Sequence, residues 1–340
     1  MTDPLAPVVS GARVAHAFWV VGPGAGEIRS EPLPPIAPGQ VLVRTLYSGV
    51  SRGIESLVFH GRVPESEHQR MRCPHQVGAF PAPVKYGYAN VGTVIEGPPS
   101  LRGSTVFSLY PHQTAYVVDE ASVVALPSDL DPARAVLAAN METALNALWD
   151  AGPLLGDRVS VVGAGVVGCL CAYLAARIAG ANVELVDVRT DRARVAEALG
   201  VGFATVERSL RDRDLVLHAS GTAAGLRTAL DLAAAEATIV ELSWFGDTEV
   251  ALPLGRDFHA RRLTLRSSQV GTLSPRARPR HTRRTRLEAA LALCADPALD
   301  VLIDGESDFL ALAEIMPQLA SPASGALCHR LRYPPRTASS

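Results

Sequence analysis

The stretch that decides the fold is residues 157–187, DRVSVVGAGVVGCLCAYLAARIAGANVELVD. It reads as strand, glycine turn, helix and strand. An apolar run over 159–162 leads into Gly163, Gly165 and Gly168, spaced G-x-G-x-x-G, where the strand opens into a helix expected over 166–179. The first glycine permits a tight turn, the second lets backbone approach a pyrophosphate, and the third lets helix and strand pack closely. Free amides in the first helical turn, at Val166 and Val167, and the positive end of the helix dipole suit phosphate. A second apolar strand over 183–186 ends at Asp187, about twenty residues past the glycines, where a carboxylate can bind both ribose hydroxyls. The residues thus point to a dinucleotide site on Gly163, Gly165, Val166, Val167, Gly168 and Asp187, with Val188 and Arg189 flanking the acid. Asp187 repels a 2′-phosphate, so NAD is expected in preference to NADP, a preference that Arg189 and Arg192 soften. A glycine turn serving packing alone is the competing reading.

Beyond Asp187 the alternation continues. A helix is expected over 192–199, a short strand near Ala204, the strand DLVLHASG over 214–221, a helix over 225–234, and strands over 237–242 and 263–267. Such alternation implies a doubly wound parallel sheet covered on both faces. Ser220 and Gly221, and then Ser243 beside Trp244, end successive strands at the carboxyl edge, where such sheets meet a cofactor. Before the glycine turn, an Ala- and Leu-rich helix is expected over 133–151.

The chain has 340 residues, more than one typical domain, and an apolar fraction of 48% that supports a sizeable core. A net charge of −2 offers no general attraction for nucleic acid or an anionic membrane. The most basic stretch, SPRARPRHTRRTR over 274–286, has no interleaved aromatics and reads as a solvated loop or helix start. Five scattered cysteines form neither a CxxC pair nor a disulfide framework, and the sequence has no signal segment or membrane-length apolar run. A soluble, cytoplasmic protein acting on a small molecule, without nucleic-acid or membrane partners, is the expectation.

From residue 8 to 124 the pattern is short apolar stretches broken by Gly and Pro, the mark of a small antiparallel β-barrel. A polar insertion over 56–84 interrupts it, either a substrate-gripping loop or a plain surface loop. The tail over 302–333 resumes the mixed pattern and is expected to return to this first domain. The resulting division is 1–126 with 303–340, and 127–302.

An all-β opening, a central nucleotide fold with GAGVVG near mid-chain and a short returning tail resemble the medium-chain dehydrogenase/reductase superfamily over nearly the full length. That resemblance implies a Rossmann sheet joined to a GroES-like barrel, a nicotinamide cofactor, and dimers that pair the last strand of the nucleotide sheet, here around 263–270. The stretches YSGVSRGIESLVFHGRVP and KYGYANVG resemble the branch that contains bacteriochlorophyllide hydroxyethyl dehydrogenase, although GYA stands where that branch has GYE. By the same resemblance Arg52 reaches the cofactor pyrophosphate, and Ser268 lies in the late cofactor-contacting strand.

Zinc-dependent members hold their metal with a Cys, the His of a GHE motif, and a third Cys or Glu. Here Ser51, Tyr88 and Glu142 occupy those places, and Gly53 stands where a proton-relay hydroxyl is usual. Neutral hydroxyls are poor zinc ligands, so no catalytic zinc is expected, against the alternative of a site rebuilt from His60, His75 or Cys73. Tyr88 is then the candidate proton donor or acceptor, with Ser51 sharing the substrate oxygen and Lys85 lowering the phenol pKa. Glu142 is a general base or a helix-terminal acid. His112 has an intrinsic pKa suited to proton exchange with solvent, and Glu55 orients Arg52 or the Ser51 turn. The plain alternatives are a barrel tyrosine bonded to backbone, a turn serine and a structural histidine.

Three functions follow from these expectations. The first is an NAD(H)-dependent secondary-alcohol dehydrogenase or ketone reductase, without zinc, for a bulky metabolite. The second is an enoyl or quinone reductase, and the third is a dinucleotide-binding protein without turnover.

Overall fold

A computed structural model describes residues 13–333, so the expected first-domain segments 1–12 and 334–340 lie outside the described residues. In chain order the elements are β1 (Val14–Gly22), β2 (Ala25–Pro32), β3 (Gln40–Ser51), α1 (Arg52–Phe59), β4 (Val77–Gly78), β5 (Val84–Lys85), β6 (Asn90–Glu96), β7 (Thr105–Ser108), β8 (Ala115–Asp119), β9 (Val124–Ala125) and α2 (Ala138–Ala151). There follow β10 (Arg158–Val162), α3 (Val166–Ala175), β11 (Asn182–Val186), α4 (Ala193–Leu199), β12 (Gly202–Ala204), β13 (Arg213–His218), α5 (Ala223–Leu232), β14 (Ala233–Glu241), α6 (Asp257–Ala260), β15 (Thr264–Ser267) and α7 (Arg283–Leu293). The tail holds β16 (Ile303–Asp308), α8 (Leu312–Leu319) and β17 (Cys328–Arg332).

The described residues divide into two compact units, 13–139 with 303–333, and 140–302. In the first unit β3 is the central strand. One sheet runs β16-β17-β3-β6-β7-β9, with β8 also paired to β3, and a second sheet runs β2-β1-β5-β4. Valines at 41, 43, 94, 106 and 118 meet Tyr116 and Val123 in a core, where β-branched side chains fit the pleated surface. The register of β3 matters for the site: Ser48 lies opposite Asn90 of β6 and Leu331 of β17, and Ser51 opposite Cys328. A 3-10 turn over Ala135–Leu137 closes on β3 so tightly that a Cβ at Gly49 would meet Val136 at 3.1 Å.

The second unit is a six-stranded sheet in the order β12-β11-β10-β13-β14-β15, with every pairing parallel. The order reverses between β10 and β13, the switch point at whose carboxyl edge sheets of this kind take their ligands. One row of register partners, Val186, Val162, His218, Glu241 and Ser267, crosses this edge from β11 to β15. The residues just past that row form the edge itself.

Several element ends differ from expectation. α3 stops at Ala175 rather than 179, because Arg177 and Ile178 donate to carbonyls three residues back and Gly180 adopts φ +74°, tightening the chain out of α-helix. α2 begins at Ala138, preceded by the 3-10 turn instead of a helix from 133. α7 begins at Arg283, inside the basic stretch, where Thr282 and Thr285 form a reciprocal capping box.

Candidate active site

In the nucleotide unit the three glycines do three different things. Gly163 adopts φ +108°, and a Cβ there would meet the Ser220 backbone at 2.6 Å. Gly168 packs so closely that a Cβ would lie 1.8 Å from the Gly163 carbonyl oxygen. At Gly165, which caps α3, an added Cβ meets nothing within 4 Å, and no side chain caps the helix. The amides of Val166 and Val167 are thus the first-turn donors that a helix cannot satisfy internally. Asp187 directly follows β11 and grips this turn, with Oδ2 accepting from the Ala164 N–H at 2.6 Å and Oδ1 from the Arg189 N–H at 2.9 Å. Val188 is exposed beside it. The Arg189 guanidinium is engaged by Asp191, at 3.2 and 2.9 Å.

The same edge carries a hydrogen-bonded cluster. His218 Nδ1 lies 2.7 Å from Glu241 Oε2 and its Nε2 lies 2.6 Å from Ser220 Oγ. Glu241 Oε1 accepts from the Ser243 N–H at 2.7 Å, and Ser243 Oγ accepts from the Gly221 N–H at 3.0 Å. Ser268 Oγ donates to Asp150 Oδ2 at 2.7 Å. The residues fit a dinucleotide: an open glycine, unsatisfied helix amides, and an acid at the end of the next strand.

In the barrel unit Ser51 ends β3 and Arg52 opens α1, with Glu55 one turn in, its Oε1 accepting from the Ser51 N–H at 2.7 Å. Glu55 Oε2 faces His112 Nε2 at 2.8 Å, His112 Nδ1 faces Ser48 Oγ at 2.8 Å, and Ser48 Oγ meets Tyr333 Oη at 2.9 Å. The Glu55 carboxylate accepts from Nε2, and Nδ1 shares the second bond with the Ser48 hydroxyl. His112 is 1% exposed with both nitrogens taken. This corrects the expectation of proton exchange with solvent: the ring is shut in the barrel core and fixes Glu55.

Tyr88 is half-buried, edge-on to Tyr86 at 5.9 Å, and its phenol is hydrogen-bonded to the Ser51 side chain. Burial, then the negative charge of Glu55, push the phenol well above the usual range, and the Ser51 bond pulls it back only partly. Lys85 does not act on it. Its ammonium is held by Glu31 Oε2 and Gln113 Oε1, each at 2.7 Å. The expected lowering of the phenol pKa by Lys85 is therefore corrected: the charge nearest in effect is the carboxylate of Glu55, of opposite sign.

Glu142 lies in the second turn of α2, which removes the reading as an acid of the helix terminus. Its Oε1 accepts from Arg286 Nε at 2.9 Å, with both side chains buried. Burial raises its carboxyl pKa and Arg286 opposes that shift. The donor set does not fit zinc, because Ser51 and Tyr88 offer only neutral hydroxyls, hydrogen-bonded to each other, and Glu142 is committed to a guanidinium. The substitutes are also engaged elsewhere: His60 with the Ala320 carbonyl, His75 stacked on Tyr110, and Cys73 on the Gly87 carbonyl, its thiol pushed up to about 12 by burial. Among the described residues no three His, Cys, Asp or Glu side chains gather in a metal-binding group.

Sequence reasoning missed His218, Glu241, Ser48 and Tyr333. The first two had a signal, since each is the last residue of an apolar strand at the carboxyl edge. The other two had none, because Tyr333 reaches Ser48 only through the pairing of β17 with β3. No helix of the described residues is long and apolar enough to cross a membrane.

No family model matches the sequence. No curated protein matches it either. Solved structures do match in fold. L-idonate 5-dehydrogenase from Escherichia coli superposes with a TM-score of 0.77 at 16% identity, covering 94% of this chain and 99% of that one. Acetophenone reductase from Geotrichum candidum, solved with NAD, gives 0.75 at 14% identity over 94% and 97%. A dehydrogenase from Sinorhizobium meliloti assigned as zinc-binding and solved with NADP gives 0.74 at 18% identity over 94% and 99%. The chain has the fold of these dehydrogenases, a Rossmann unit joined to a GroES-like barrel unit.

Proposed function

We propose that the protein is an oxidoreductase of the medium-chain dehydrogenase/reductase superfamily that uses NAD(H) to interconvert a secondary alcohol and a ketone of a bulky metabolite, without catalytic zinc. The observation that carries the reading is the hydrogen-bonded pair of Ser51 and Tyr88 at the places where zinc-dependent relatives keep Cys and His. When bound, the nicotinamide supplies or receives the hydride. Gly163, Gly165 and Gly168 shape its seat, Val166 and Val167 offer amides to the pyrophosphate, and Asp187 accepts from the ribose hydroxyls. Tyr88, protonated at neutral pH, donates to the substrate oxygen, and Ser51 holds the phenol in place. Glu55 and His112 keep the Ser51 turn fixed from behind. The direction best served is ketone reduction, since a phenol held above its usual range is a ready donor and a poor base.

The protein acts in the cytoplasm as a homodimer, pairing the exposed edge strand β15 with its copy. The deciding experiment incubates the purified protein with a chelator, measures its zinc content, and follows NADH oxidation against a panel of bulky ketones and enones. Ketone turnover that survives loss of metal supports the reading. Turnover that requires stoichiometric zinc, or of enones only, overturns it.

A further inference from the structure

The carboxyl edge of the nucleotide sheet holds a feature that phosphate and ribose binding leave unused. His218 is fully buried, yet it is hydrogen-bonded through both ring nitrogens, to Glu241 from the neighbouring strand and to Ser220 in the turn before α5. The chain of bonds has a direction set at its two ends. At one end the Gly225 N–H can only donate, to Thr222 Oγ1 at 3.0 Å; at the other the Glu241 carboxylate can only accept. Thr222 Oγ1 and Ser220 Oγ are 3.0 Å apart between them. With a neutral imidazole every proton therefore points towards Glu241, and the Ser220 hydroxyl is turned inward onto Nε2. A second proton on His218 reverses the last link. Nε2 then donates, and the Ser220 proton is released, to turn to Thr222 Oγ1 or outward to the cofactor edge.

We infer that His218 and Glu241 are positioning residues for the dinucleotide, setting whether Ser220 faces the cofactor edge as a hydrogen-bond acceptor or as a donor. This rests on the dinucleotide reading above. Glu241 also fixes the Ser243 N–H, and Ser243 receives the Gly221 N–H, so this one pair holds both edge loops. Glu241 is the one charged group among the partners of His218 in the described residues. The others are Ser220, the Ser243 hydroxyl at 3.5 Å and the Phe245 ring stacked at 6.2 Å. Gly225 belongs to the same device, because a Cβ there would strike Ser220 Oγ at 2.1 Å and His218 Nε2 at 2.9 Å.

The test measures NADH affinity of the full-length protein by fluorescence titration across the range in which imidazole titrates. Cofactor-free melting temperatures of each variant are recorded alongside. Wild type is expected to bind more tightly at the acidic end, where Ser220 donates to an anionic ligand. Ser220→Ala is expected to weaken binding roughly ten-fold there, the scale of one hydrogen bond to a charged group. His218→Gln bridges the same partners without titrating and should flatten the pH profile. Glu241→Gln gives a second reading: it removes the charged acceptor at Nδ1 and should alter the wild-type profile. A His218→Gln protein that keeps the wild-type pH profile, or a Ser220→Ala protein that binds like wild type, overturns the inference. Failure of wild type to bind NADH or NADPH at any pH instead sinks the dinucleotide reading beneath it.

Discussion

Glu142 and Arg286 are joined inside the nucleotide unit by a 2.9 Å Nε–Oε1 contact, and the same guanidinium donates to Asn146 Oδ1 and the Val270 carbonyl at 2.6 Å each. A carboxylate held this way is a structural anchor for α2 and α7. Removing one partner leaves the other charge buried and unpaired, a loss of about 3–5 kcal/mol. Glu142→Ala and Arg286→Ala are each expected to melt roughly 6–20 °C below wild type in calorimetry, with the double variant losing less than the sum. A Glu142→Ala protein with unchanged melting and abolished turnover would return this residue to the chemistry.

Tyr88 gives the second prediction. A positioned acid contributes roughly a hundred- to ten-thousand-fold, so Tyr88→Phe should lower kcat for ketone reduction by that range and leave NADH affinity intact. The pH dependence follows in sign from the raised phenol pKa. The protonated form persists to higher pH than in a free phenol, whose pKa is about 10, so the chemical step of reduction should stay level from neutral pH up to that value. Alcohol oxidation, which needs the phenolate, should climb with pH. Single-turnover kinetics in both directions check this; reduction that falls through neutral pH would assign the proton to another group.

The glycines separate packing from binding. Gly168→Ala places a methyl against the Gly163 carbonyl and should destabilise the fold, with lower melting as the readout. Gly165→Val has room on the free protein and should melt near wild type. Its side chain stands where the pyrophosphate must approach, so NADH affinity should drop more than ten-fold. Equal affinity in wild type and Gly165→Val would mean that the turn serves packing alone.

How far the sequence carries is clear from particular residues. The glycine turn was legible because its demands fall on backbone geometry, which a glycine spacing records directly. The parallel sheet was legible for the same reason, in the alternation of apolar strands and helices. Lys85 was not: its place three residues before Tyr88 says nothing about which face it takes, and its partner Glu31 comes from a strand 54 residues earlier. Arg286 read as one more solvated arginine of a basic run, yet it is 2% exposed. Its sign in the sequence was the pair Glu142 and Asn146, four apart on one helix face and both buried. His218 and Glu241 required the strand order, since only the adjacency of β13 and β14 makes them partners.

On the proposed reading, Asp187 selects NAD(H) over NADP(H). Its carboxylate already holds the Ala164 and Arg189 amides, so it is fixed where a ribose would bind, and its charge opposes a 2′-phosphate. Asp187→Ser removes the repulsion and the ribose acceptor together. The ratio of NADPH to NADH affinity should rise at least ten-fold, by weakened NADH binding more than by improved NADPH binding, because Arg189 is still tied to Asp191. Adding Asp191→Ala removes that competing carboxylate, and a two-pronged contact of Arg189 with phosphate should then tighten NADPH itself. Paired titrations of the single and double variants read both steps. An unchanged cofactor ratio in Asp187→Ser would show that this carboxylate braces the glycine turn without touching the ribose.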